Sequence, residues 1–105
     1  MKEFERKIIN ELLEMSELKG IVLSGGTDNE VVEFSGAGYF LTIKDPMLPK
    51  HRIVLNRPDI RGKLGGIDVG YLAFIENSEL MLECYSYDQE ILPKHRDQEF
   101  VRDAT

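Results

Sequence analysis

The chain has no tryptophan, one cysteine, two histidines and four prolines, and no apolar run reaches membrane-spanning length. Each scarcity closes a class of explanation. Cys84 alone cannot form an internal disulfide, so a stapled secreted scaffold is excluded. At 105 residues the chain is read as a single domain, residues 1–105, able to bury roughly two-thirds of the surface its unfolded form exposes without metal or disulfide support. His51 and His95 stand 44 residues apart with no CxxC, HxxxH or clustered Asp/His pattern, short of the ligands a zinc site needs, so no metal and no cofactor is expected. The opening MKEFERKII mixes charges and has no signal-peptide core, which points to the reducing cytoplasm.

Positive charge is in deficit too. Thirteen basic residues against nineteen acidic ones leave a net charge of −6, which disfavours nucleic acid and anionic membrane surfaces and suits a basic partner. The distribution says more than the total. Residues 44–63 carry Lys44, Lys50, Arg52, Arg57, Arg61 and Lys63 against Asp45 and Asp59, a local +4 that leaves −10 on the rest of the chain. Such a segment is either an anion or partner contact, or a solvated stretch lying against the chain's own acids; the second is the more ordinary outcome.

What is present reads as one helix followed by strands. Phe4, Ile8, Leu12 and Met15 form a helical stripe widened by Ile9 and Leu13, predicting an amphipathic helix over 3–18 that ends at Lys19-Gly20. Short strands are expected at 21–23 and 31–34. Tyr39, Leu41 and Ile43 alternate with Phe40, Thr42 and Lys44, the pattern of a half-buried strand that Asp45-Pro46 ends. A brief strand follows at 53–55, and residues 56–66, with one proline and three glycines, are expected to be an irregular connection. Residues 70–87 predict a hairpin turning at Asn77-Ser78, with Ile75 facing Leu80, Ala73 facing Leu82 and Tyr71 facing Cys84 on a wholly apolar side. The fold class is α+β: an N-terminal amphipathic helix packed on a mainly antiparallel sheet of about five strands.

The opposite side of that hairpin carries Leu72, Phe74, Met81, Glu83, Tyr85 and Tyr87, apolar but for one carboxylate. Glu83 in that setting is either a desolvated acid with a recognition or catalytic role, or a charge that keeps an exposed hairpin from aggregating. No second acid or histidine is spaced beside it, which favours recognition or structure over catalysis. Tyrosines on the same face suit a protein contact. Cys84 shares its row with Leu80 and Leu82, the position of a small buried hydrophobe rather than a nucleophile paired with a histidine. The glycine-bearing stretches SGGTDNE and SGAGYF lack phosphate-loop spacing.

The order GAGYF at 36–40, Gly65-Gly66, and GYLAFIENSELMLECYSYDQEILP at 70–93 resembles small uncharacterised bacterial proteins with a glycine-aromatic strand and a glycine-led hairpin ending in Leu-Glu, an aromatic and a later proline. The resemblance covers residues 31–96. Similar small proteins occur among presumed immunity partners of bacterial toxins, so the resemblance implies a protein-binding function and brings no catalytic residues. Asn77-Ser78 departs from the Asn-Gly or Asp-Gly turn common in such hairpins.

The pentapeptide LPKHR occurs at 48–52 and again at 92–96 and holds both histidines. Were both copies on one rim, His51, Arg52, His95 and Arg96 would make an anion site; at opposite ends they are two unrelated basic loops, the reading that the unrelated flanks favour. Two functions follow. The leading one is an immunity-like protein-binding module contacting a basic partner through Phe74, Met81, Glu83, Tyr85 and Tyr87. The alternative is a small-anion or metabolite-binding domain using residues 44–63 and both LPKHR segments, and a homodimer through the same face stays open.

Overall fold

Glu5, Ile8, Ile9, Leu12 and Leu13 recur at helical spacing, and in the computed structural model, which describes residues 1–21, 23 and 30–103, they form the buried face of α1 (Glu3–Glu14). Glu5 also closes the first turn by accepting the Lys2 N–H at 2.8 Å. The helix ends earlier than the periodicity predicts. The Ser16 hydroxyl donates to the Leu13 carbonyl at 2.7 Å and its N–H reaches the same oxygen at 3.0 Å, so residues 15–20 continue as turns and Met15 is exposed.

Five further strands and a short helical turn follow the first strand: β1 (Glu30–Phe34), β2 (Gly38–Lys44), β3 (Ile53–Leu64), β4 (Ile67–Glu76), β5 (Glu79–Ser86), α2 (Pro93–Arg96) and β6 (Phe100–Arg102). They make one sheet in the order β1-β2-β5-β4-β3-β6, antiparallel throughout. The class is therefore α+β as expected, with six strands rather than five. Of the expected strand at 21–23, Ile21 and Leu23 lie outside any strand and Val22 falls outside the described residues.

The largest departure is β3. Residues 56–66 were expected to be irregular, yet the strand runs through Pro58 and Gly62. Its position in the sheet explains this. The register against β4 shifts between Leu55 and Ile60, so Pro58 sits in a bulge of a strand whose other side is covered by β6 only at Gly62, Lys63 and Leu64. Gly62 is where Phe100 and Val101 press closest: a Cβ there would meet the Val101 carbonyl at 2.3 Å. Gly65 and Gly66, with φ of 58° and 83°, turn the chain tightly into β4.

The hairpin of β4 and β5 has the predicted register, with Ile75 opposite Leu80, Ala73 opposite Leu82 and Tyr71 opposite Cys84. These six are buried, with Tyr39, Leu41 and Ile43 of β2 beside them and α1 packed over β3 and β4. Each wholly buried leucine or isoleucine in this layer contributes about 1.5–3 kcal/mol relative to leaving it in water. Asn77 and Ser78 both take positive φ, 53° and 61°, a turn that ordinarily wants glycine. The first LPKHR copy holds it there: the Asn77 N–H reaches the Lys50 carbonyl at 2.9 Å and the Ser78 N–H reaches the Pro49 carbonyl at 3.0 Å.

Candidate functional site

Antiparallel register aligns the side chains pointing away from α1 into transverse rows. Val31, Thr42, Met81, Phe74 and Val54 form one row across five strands, about 19 Å long at the usual strand spacing. Glu33, Phe40, Glu83 and Leu72 form the next. Val31, Val54 and Met81 are exposed by 52%, 48% and 37%. Farther along, Gly70 leaves room for the Tyr85 ring, the rings of Tyr85 and Tyr87 meet edge-on at 5.7 Å, and the Arg61 guanidinium lies 5.8 Å from the Tyr87 ring. Phe74, Met81, Glu83, Tyr85 and Tyr87, singled out from the hairpin pattern, thus share one face, and no described element covers it.

The charges on this face divide into answered and unanswered. Lys44 meets Glu79 at 3.5 Å, Arg52 meets Glu76 at 3.2 Å, Arg61 meets Asp59 at 2.9 Å and Lys63 meets Asp68 at 2.7 Å. Four cations of the basic segment therefore lie against the chain's own acids. Arg52 also sits over the Phe74 ring at 5.0 Å, beside a depression of about 460 Å³ bounded by Phe74, Glu76, Glu79 and Met81. Glu83 differs. Half-buried between Phe40 and Leu72, its carboxylate has no ion pair or hydrogen bond among the described residues, and burial raises its pKa above the ordinary glutamate value. An external cation would stabilise the ionised form that the site disfavours.

A second polar centre lies on the other side of the sheet, and the hydropathy pattern did not single it out. Glu5 is wholly buried, yet fully engaged: Tyr39 donates to it at 2.6 Å, and Arg96 donates twice, through Nε and a terminal nitrogen, each at 2.9 Å. Tyr39 and Tyr71 hydroxyls stand 2.8 Å apart. Burial, then the Glu5 charge, pushes the Tyr39 phenol well above its ordinary value, and burial does the same to Tyr71. Burial works against the Arg96 charge, but the bonds and charge of Glu5 outweigh it and hold the guanidinium above the ordinary arginine value. Every buried side-chain polar atom among the described residues has a partner, so this network is closed. Its signal was present: Glu5 shares the stripe of Ile8, Ile9 and Leu12, three, four and seven residues on.

The two LPKHR copies do not form one rim. The first braces the β4–β5 turn, while His95 of the second packs against Gly65, where a Cβ would meet its ring at 2.9 Å, in the β3–β4 turn. The ten residues of β4 separate those turns, about 30 Å of strand. His51 and Arg52 are thus parted from His95 and Arg96. His95 is occupied locally, its Nδ1 accepting the Leu92 N–H at 2.8 Å at the start of α2.

Cys84 is buried beside Tyr71, and burial pushes its thiol up to about 12, far from the thiolate a nucleophile needs. Among the described residues no group of three or more histidine, cysteine, aspartate or glutamate side chains is placed to hold a metal, and no helix is long and apolar enough to cross a membrane. A groove of about 520 Å³ runs between α1 and the 96–102 segment. Three of its cations, Lys2, Arg96 and Arg102, are taken by Asp97, Glu5 and Glu11. No protein-family model, curated protein or solved structure matches the chain.

Proposed function

We propose that the chain is a protein-binding module of the immunity-like kind, contacting or neutralising a basic protein partner in the cytoplasm through the outer sheet face. The observation that carries this is Glu83: a carboxylate without a partner among the described residues, partly desolvated, between the aromatic and aliphatic side chains of the central strands. Phe74, Met81, Tyr85 and Tyr87 supply the apolar and aromatic surface that protein contacts favour, and the −6 net charge supplies long-range steering that salt would weaken. The anion-binding alternative draws less support, because four cations of the basic segment are already paired and the two LPKHR copies stand at opposite ends of β4.

The test is capture from a lysate of the source organism on the immobilised protein and, in parallel, on Glu83→Lys, each checked for folding by circular dichroism. A basic protein retained by the native chain, released by salt and missing from the variant is the expected result. Identical captures on both, or none on either at low salt, would refute the reading. Light scattering at twice the chain mass, reduced to one mass by Met81→Asp, would instead assign the face to a homodimer.

A further inference from the structure

The two edges of the sheet are built differently. Along β3 the register slips between Leu55 and Ile60, Pro58 lacks an N–H, and β6 covers three residues, all devices that blunt an edge against further pairing. β1 has none of them. Its EVVEF contains no proline, glycine or lysine, its register against β2 is continuous, and no described strand pairs with its far side.

Which backbone groups of β1 point off the sheet follows from parity. The Ser35 N–H reaches the Gly38 carbonyl at 3.0 Å across the β1–β2 turn, and bonded pairs recur at every second residue of an antiparallel ladder. Glu33 with Phe40 and Val31 with Thr42 are therefore bonded pairs, and Glu30, Val32 and Phe34 turn their N–H and C=O groups outward. The other side of β2 agrees: Ser86 donates to Ala37 at 2.7 Å and Asp45 to Ser78 at 3.0 Å, which directs the odd-numbered residues of β2 to β5 and leaves Phe40 and Thr42 for β1. β1 also carries two carboxylates and no cation; the Met1 ammonium meets Glu30 at 2.5 Å, while Glu33, on the outer face, has no ion pair among the described residues. Val31 and Glu33 begin the two rows that cross the outer face.

We infer that β1 is a strand-addition edge, at which an extended basic segment of the protein partner lengthens the sheet. This rests on the protein-binding reading above and names where and how the partner docks. The added strand bonds Val32 and Phe34 through its backbone, sets an apolar side chain beside Val31, and sets a lysine or arginine beside Glu33. The contact then continues along the rows to Met81 and Glu83.

The test is amide hydrogen exchange, followed by NMR on the intact chain, with a capped heptapeptide that carries valine and lysine two residues apart on one face, threonine filling the positions between, as probe and its glutamate-for-lysine counterpart as control. In the free protein, Val31 and Glu33 are protected while Val32 and Phe34 exchange freely. The lysine peptide slows Val32 and Phe34 by on the order of tenfold or more, and the glutamate peptide does not. Val32→Pro removes an outward donor, keeps the β1–β2 bonds and abolishes the slowing. Because proline can distort a strand, Glu33→Lys is the second variant, and it moves the preference to the glutamate peptide. Protection of Val32 and Phe34 in the free protein, peptide binding that leaves them unprotected, or equal slowing by both peptides overturns the inference. So does capture of the same basic partner by native chain and folded Val32→Pro alike, an outcome that leaves the protein-binding reading standing. Lysine-peptide protection without any captured partner does the reverse.

Discussion

Glu5 and Glu83 are both carboxylates set among apolar side chains, one on each side of the sheet, and their surroundings treat them in opposite ways. Glu5 is wholly buried and surrounded by donors: the Arg96 guanidinium, the Tyr39 hydroxyl and the Lys2 N–H. Glu83 is less buried but has no donor among the described residues, and burial raises its pKa. A deeper charge is thus the better satisfied one. Depth alone does not mark a functional acid; an unmet need does, and by that measure Glu83 is the acid on which the proposed contact rests.

Breaking the Glu5 arrangement gives the largest effect. Arg96→Ala leaves a buried carboxylate without its cation and is expected to cost about 3–5 kcal/mol in urea denaturation, close to the whole stability of a small domain. The double variant Glu5→Gln with Arg96→Met removes both charges and is expected to recover most of that loss; a double variant as unstable as Arg96→Ala would mean the pair acts through more than its charges. The same measurement on Arg52→Ala, the equivalent arginine of the other LPKHR copy, should show about 0–1 kcal/mol, because both it and Glu76 stand in solvent.

Glu83→Gln gives the smallest change, with the sign reversed. The folded-state pKa of Glu83 is raised, so the protonated acid is favoured in the fold, a stabilisation present below the ordinary glutamate value and lost as pH rises through the folded value. The variant is therefore more stable than the native chain at neutral pH, and thermal unfolding should show the two converging as pH falls. On the proposed reading, the same substitution weakens capture of a basic partner from a lysate. A stability gain combined with a binding loss is the signature of an acid kept for contact rather than for folding.

Much of this was legible in the residues. Alternation in Tyr39, Leu41 and Ile43, and the facing pairs of the 70–87 hairpin, placed both faces of the central strands correctly, because a period of two leaves little choice of register once one face is apolar. β3 was not legible: proline and glycine argue against a strand in general, and only its place at a bulged, partly uncovered edge makes them tolerable. Glu5 was visible on the helical stripe but its meaning was not, since the cation that satisfies it lies 91 residues away.

The repeated pentapeptide shows where sequence stops. In one copy Leu48 is buried and the Pro49 and Lys50 carbonyls hold a strained turn; in the other Leu92 is exposed, Pro93 opens α2, and Arg96 reaches Glu5. Local pattern determined the helix, the hairpin and which side chains share the outer face, because periodicity and turn chemistry act between near neighbours. The tertiary structure decided which charges are answered and which edge no described strand pairs, because those depend on what the sheet order brings within hydrogen-bond reach, and five identical residues met different neighbours in each place.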